Sequence, residues 1–161
     1  MSRKEIINII PNWDEIETTQ NILSDILKDE GFDQDTIDSQ IMVISELIEN
    51  AIKYSHFTSK FPKIEATIKI TKRNITIEVK SPANEESNVH IIRLDKTIQW
   101  VRGFQNPFEA YVMRLKKIAI KPLSDKDSGL GIVRIAYEGQ SVVDFYINDE
   151  NIISISSVYQ I

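Results

Sequence analysis

Three polar side chains stand at helical spacing in the middle of the chain: Glu46, Asn50 and Lys53, at i, i+4 and i+7. A carboxylate one turn from an amide is a useful pair. The carboxylate can take a proton. The amide oxygen is a hard ligand for magnesium that adds no charge. On spacing alone the same trio also serves as an ordinary solvated helix face. A second stretch, Ser128-Gly129-Leu130-Gly131-Ile132, precedes a short apolar run. Two glycines before a helix let backbone N–H groups approach an anion, and the helix N-terminus adds partial positive charge. The stretch is not a Walker loop, since no Lys-Ser or Lys-Thr follows, and a plain turn accounts for it equally well.

The helix carrying the trio runs over Ile37 to His56. Ile37, Ile41, Ile44, Ile48 and Ile52 give it one apolar stripe. Upstream, residues 4–10 form a partly apolar run that Pro11 breaks. It reads either as a strand at a sheet edge or as a short helix. Residues 12–30 read as a helix stopped by Gly31, and Asp33 or Asp35 is the expected cap of the next one. Residues 64–70 and 74–80 alternate apolar and polar around Thr71-Lys72-Arg73, which predicts a hairpin. Residues 81–90 are polar and read as a loop, and Val89–Leu94 is either a short strand or a helix start. A helix over 107–118 opens on a proline and ends before Pro122. A helix over 130–137 and a hairpin of 141–147 with 152–159 complete the order. Four strands and at least three longer helices predict an α+β fold: a two-layer sandwich with helices on one face of a mixed, mainly antiparallel sheet. We find no repeat and no domain boundary over 1–161, and 81–128 stands out as a variable, lid-like segment.

Composition narrows the function. The chain has 161 residues, 42% of them apolar, enough for one domain with a real core. The net charge of -5 argues against a nucleic-acid surface. There is no cysteine, so disulfides and thiolate zinc sites are excluded, and two histidines are a thin basis for a metal site. His56 and His90 are read as structural or solvent-exposed. No run of 18 apolar residues exists and the first residues lack the pattern of a secretion signal, so no membrane partner and a cytoplasmic location are expected.

Taken together, the pieces become more specific. Glu46-Leu47-Ile48-Glu49-Asn50-Ala51-Ile52-Lys53-Tyr54-Ser55-His56 resembles the N box of the GHKL ATPase superfamily, and Gly129-Leu130-Gly131-Ile132 resembles its late glycine box. The Glu-x-x-x-Asn-Ala form is similar to the anti-sigma-factor serine kinases; the Lys-Tyr-Ser ending is closer to sensor histidine kinases. The order of elements over 12–160 is similar too. The resemblance implies a Bergerat-type ATP-binding fold with ATP and magnesium as cofactors. It implies Asn50 as the magnesium ligand, Glu46 as the catalytic carboxylate orienting or activating a hydroxyl, and Lys53 near phosphate or ribose. Gly129, Leu130 and Gly131 would wrap the phosphates. Glu49 points elsewhere on the helix.

One departure stands out. The superfamily carries an Asp-x-Gly-x-Gly box after the second hairpin strand, where the Asp accepts a bond from adenine. Here Ser81-Pro82-Ala83-Asn84-Glu85-Glu86-Ser87 follows instead, and no glycine lies between Arg73 and Gly103. Ser81 and Asn84 are the nearest polar substitutes. Losing a charge-assisted bond costs roughly 1.5–3 kcal/mol. Three readings follow. The first is an ATP-binding regulator that phosphorylates a serine or threonine of a partner, or holds it according to nucleotide state, the partner resembling an anti-sigma antagonist or a sigma factor. The second is a protein-binding module that has lost nucleotide. The third is a detached histidine-kinase-like domain, weakened by the lack of a phosphoacceptor histidine in a dimerising helix. A homodimer is a further expectation from the resemblance. Trp100 and Phe104 beside Arg102 are candidates for a partner surface, a site cover or core packing. Lys116, Lys117 and Lys121 either face phosphate or form the wet side of their helix.

Overall fold

The computed structural model describes residues 2–119 and 130–161. The chain runs β1 (Arg3–Ile9), α1 (Glu15–Asp29), α2 (Gln34–Tyr54), β2 (Ile64–Ile70), β3 (Asn74–Pro82) and a 3-10 turn (Glu85–Ser87). It continues α3 (Asn88–Arg102), α4 (Pro107–Ala119), α5 (Leu130–Tyr137), β4 (Ser141–Ile147) and β5 (Ile152–Gln160). The five strands form one sheet in the order β1-β2-β3-β5-β4, and every neighbouring pair is antiparallel. The helices lie against one face, so the α+β two-layer architecture holds, with no parallel pair among the described strands.

Alternation creates the inner face of the sheet. Ile64, Ala66, Ile68 and Ile70 of β2 are buried, as are Ile75, Ile77 and Val79 of β3. They meet α2, whose buried residues are Ile37, Gln40, Val43, Ile44, Leu47, Ile48 and Ala51. The stripe on α2 is therefore wider than the isoleucine row, and Ile41 and Ile52 sit at its margins. Burying each of the valine, leucine and isoleucine side chains contributes about 1.5–3 kcal/mol, so α2 is held chiefly by this face. Its start is set locally, where the Asp33 carboxylate accepts a bond from the Thr36 N–H at 2.8 Å.

The structure resolves the first strand and revises the middle of the chain. Residues 3–9 are a strand, pairing antiparallel with β2. The polar run 81–90 is not one loop: Ser81 and Pro82 finish β3, Asn84 and Ser87 close a reciprocal capping box, and α3 begins at Asn88. Leu94 and Ile98 of α3 are buried, with Ile91 packed on the core. Among the described residues, no helix is long and apolar enough to cross a membrane.

Leu47 is fully buried between helix and sheet. Leu47→Ala should lower the stability by about 2–5 kcal/mol. A urea titration followed by circular dichroism checks it, and the midpoint should fall without a change of slope.

Candidate functional site

The middle of α2 does not look out on solvent. The first turn of α5 lies against it, with Gly131 facing the Glu46 carboxylate. A Cβ at Gly131 would sit 2.6 Å from Glu46 Oε2, so a larger residue would push the carboxylate aside. One turn further along α5, Arg134 Nη1 donates to Glu46 Oε1 at 2.9 Å. The same guanidinium holds Glu138 on its own helix at 3.0 Å. The Glu46 side chain is 19% exposed. Burial raises its pKa above the usual carboxylate value and Glu49 adds to the rise; Arg134 and Lys53 pull it back. A carboxyl whose folded pKa is raised makes folding less favourable as pH rises from the ordinary glutamate value through the folded one.

Asn50, one turn on, reaches a different neighbourhood. It lines a small recess with Tyr54, Ser55, Ser81, Ser87, His90 and Ile91, among others. The free space there is ≈ 10 Å³, about room for a single water molecule. Ser55 Oγ donates to Ser81 Oγ at 2.7 Å, and Ser81 is 3% exposed. Ser87 Oγ donates to the Tyr54 carbonyl at 3.1 Å. The Asn84 side-chain Oδ1 accepts from the Ser87 N–H at 3.2 Å. The His56 N–H donates to the Pro82 carbonyl at 2.9 Å. The Tyr54 and His90 rings stack with centroids 3.6 Å apart. The polar atoms at the end of β3 are thus largely spent on one another, and α3 covers the recess.

The structure therefore divides the expected site residues into two groups. Glu46 and Gly131 meet across α2 and α5, with Leu130 partly buried beside them. Asn50 and Ser81 share the recess, with Asn84 turned to capping beside it. Lys53 is exposed on the α2 surface and joins neither group. Gly129 and Lys121 lie outside the described residues. Arg134 is the residue that sequence reasoning passed over. Its signal was a lone charge inside the apolar run LGIVRIAY, three residues after Gly131, which places both on one face of α5.

Beyond this region, Trp100 packs edge-on against Phe104 at 4.8 Å, with Arg114 and Lys117 at 4.8 and 4.9 Å from its ring. These cations partner the indole of the preceding helix. Phe108 and Tyr111 flank Tyr137, tying α4 to α5. Among the described residues, no group of three histidine or acidic side chains is arranged to hold a metal ion.

Comparison with known proteins gives a fold and no family. No protein-family model matches the chain, and no curated protein matches it. Among solved structures, a chain in "The crystal structure of SiaB-SiaC complex from Pseudomonas aeruginosa" superposes with a TM-score of 0.71 at 15% identity. The match covers 96% of this chain and 88% of that one. The chain is thus similar in fold to one component of a two-protein assembly. The resemblance to the GHKL superfamily is not upheld. The fold match leads to the SiaB–SiaC complex, and no family model supports the two short motifs. The physical reason is local: where the Asp-x-Gly-x-Gly box would open a turn for adenine, β3 continues to Pro82 and α3 closes over it.

Arg134→Gln should free the Glu46 carboxylate and raise its pKa further, read from the carboxyl carbon shift in a pH titration by NMR. After allowance for partial exposure, the cost to stability should be about 1 kcal/mol. Glu46→Gln should flatten the loss of stability with rising pH in the range between the ordinary and the raised glutamate pKa.

Proposed function

We propose that this protein is a regulatory protein that acts by binding a partner protein. The observation that carries the reading is the small size of the recess beside Asn50, whose ≈ 10 Å³ is far from the space a purine needs. Its hydroxyls are satisfied internally, so opening it for a ligand would strand buried polar groups. The similar fold in a crystallised two-protein complex supports a protein as the ligand.

A second reading is favoured by one specific feature. Glu46 is a partly buried carboxylate with a raised pKa, one turn from an amide. Such a group suits a general base toward a hydroxyl. In that reading the protein would be a serine/threonine protein kinase using ATP and magnesium, with Asn50 as the metal ligand. Residues 81–91 would have to move to admit the nucleotide.

Calorimetric titration with ATP and ADP, with and without magnesium, separates the two. No heat at millimolar nucleotide, with a partner retained on the tagged chain in nucleotide-depleted extract, is the expected result. Magnesium-dependent ATP binding that Asn50→Ala abolishes, with label transferred from ATP to the retained partner, would replace the first reading by the second.

A further inference from the structure

The helix α4 carries more apolar surface than its packing uses. Ala110 is fully buried, Tyr111 meets Tyr137 of α5 with ring centroids 5.1 Å apart, and Arg114 and Lys117 lie on the Trp100 ring of α3. These contacts hold α4 to its neighbours. Phe108, Val112, Leu115 and Ala119 form a separate stripe, spaced four, three and four residues apart. At roughly 100 degrees of turn per residue they share an arc of about 60 degrees. Phe108 touches the Tyr137 ring and is still 48% exposed; Leu115 is 41% exposed, Ala119 is exposed and Val112 is half-buried. Such spacing is that of the contact line between two packed helices, yet among the described residues the stripe is left largely open. The other described helices do not repeat it. Of their large apolar residues, α1 exposes Ile22, α3 exposes Val89 and Ile92, and α2 and α5 expose none.

The surrounding charge selects what can pair there. Residues 88–119, which make α3, α4 and the turn between them, hold six basic and two acidic side chains, in a chain whose net charge is -5. Lys116 stands on the flank of the stripe beside Leu115, exposed and in no ion pair among the described residues. Glu109 is the single acid of α4. Strand β4 also exposes apolar side chains, Val142, Tyr146 and Ile147, but Asp144 lies among them and Asp149 and Glu150 follow, so an acidic partner is repelled there. We propose that α4 docks an acidic amphipathic helix of the partner protein. Its apolar residues, at heptad spacing, lie along Phe108, Val112, Leu115 and Ala119, and its carboxylates face Lys116. The proposal rests on the partner-binding reading and adds where, and by what chemistry, the partner is held. An anionic lipid surface fits less well. It calls for cations on both flanks of the apolar face, whereas here one flank is taken by α5 and the other sets Glu109 beside Lys116.

The probe is a synthetic three-heptad peptide with leucine at a and d and glutamate at e and g, whose like charges keep it from pairing with itself. Labelled with a fluorophore and titrated with the full chain, it should bind, read by anisotropy. Leu115→Glu and Lys116→Glu, both at exposed positions and with circular dichroism unchanged, should each weaken that binding by about tenfold or more. The same peptide with lysine at e and g should bind the Lys116→Glu chain better than the wild type. No binding of the glutamate peptide, binding that Leu115→Glu leaves intact, or tighter binding of the lysine peptide to the wild type would overturn the proposal. So would binding to phosphatidylglycerol vesicles that Leu115→Glu abolishes while the peptide is ignored, or a doubled mass on a sizing column that Leu115→Glu halves, since lipid or a second copy would then occupy the stripe. Failure here is distinct from failure of the partner-binding reading. A chain that ignores the peptide but retains its partner loses only this surface, whereas magnesium-dependent ATP binding lost in Asn50→Ala removes the reading itself.

Discussion

The structure depends on the burial of α2 from more than one side. Its Leu47–Ile48 face lies on the sheet, while Glu46 faces α5. A carboxylate in such a place needs a cation, and Arg134 supplies it. Gly131 stands opposite the carboxylate, where a Cβ would meet Glu46 Oε2 at 2.6 Å. Glu46, Gly131 and Arg134 thus form a single constraint. It joins residues 88 positions apart in the chain and ties α5 to α2.

The second half of α2 belongs to another arrangement. From Asn50 onward the helix borders the end of β3, and small hydroxyls close the border: Ser55 with Ser81, Ser87 with the Tyr54 carbonyl. The capping box of Asn84 and Ser87 closes the 3-10 turn, α3 follows it at Asn88, and the Tyr54 and His90 rings stack beside the recess. Leu94 and Ile98 then anchor α3 in the core. The segment after β3 thus leaves at this seam, beside Asn50, a recess of only ≈ 10 Å³.

How much of this was legible in the sequence depends on the range of the interaction. The hairpins and α2 follow from local periodicity, and the Asp33 cap needs only three residues. The strand β1 was ambiguous because seven residues of KEIINII type carry too few periods to separate a strand from a helix; its pairing with β2, some sixty residues away, decides. The start of α3 was hidden by the polar, capped 3-10 turn before it, which reads like a loop, although Ile91, Leu94, Ile98 and Val101 keep helical spacing. The two-part division of the site was not legible at all. Glu46 and Asn50 look like one constellation along a helix, but α5 claims one and β3 with α3 the other. The superfamily resemblance failed for the same reason: short motifs record local spacing, while a pocket is made by what packs opposite them.

The measurement that tests the account most directly is hydrogen exchange at the seam. The amides of His56, Ala83 and Ser87 are bonded there. If the seam is closed packing with no nucleotide function, their protection should be the same with and without millimolar magnesium-ATP. A change of protection confined to these amides and to the first turns of α3 on adding the nucleotide would contradict it, since the seam would then be a gate that a ligand opens.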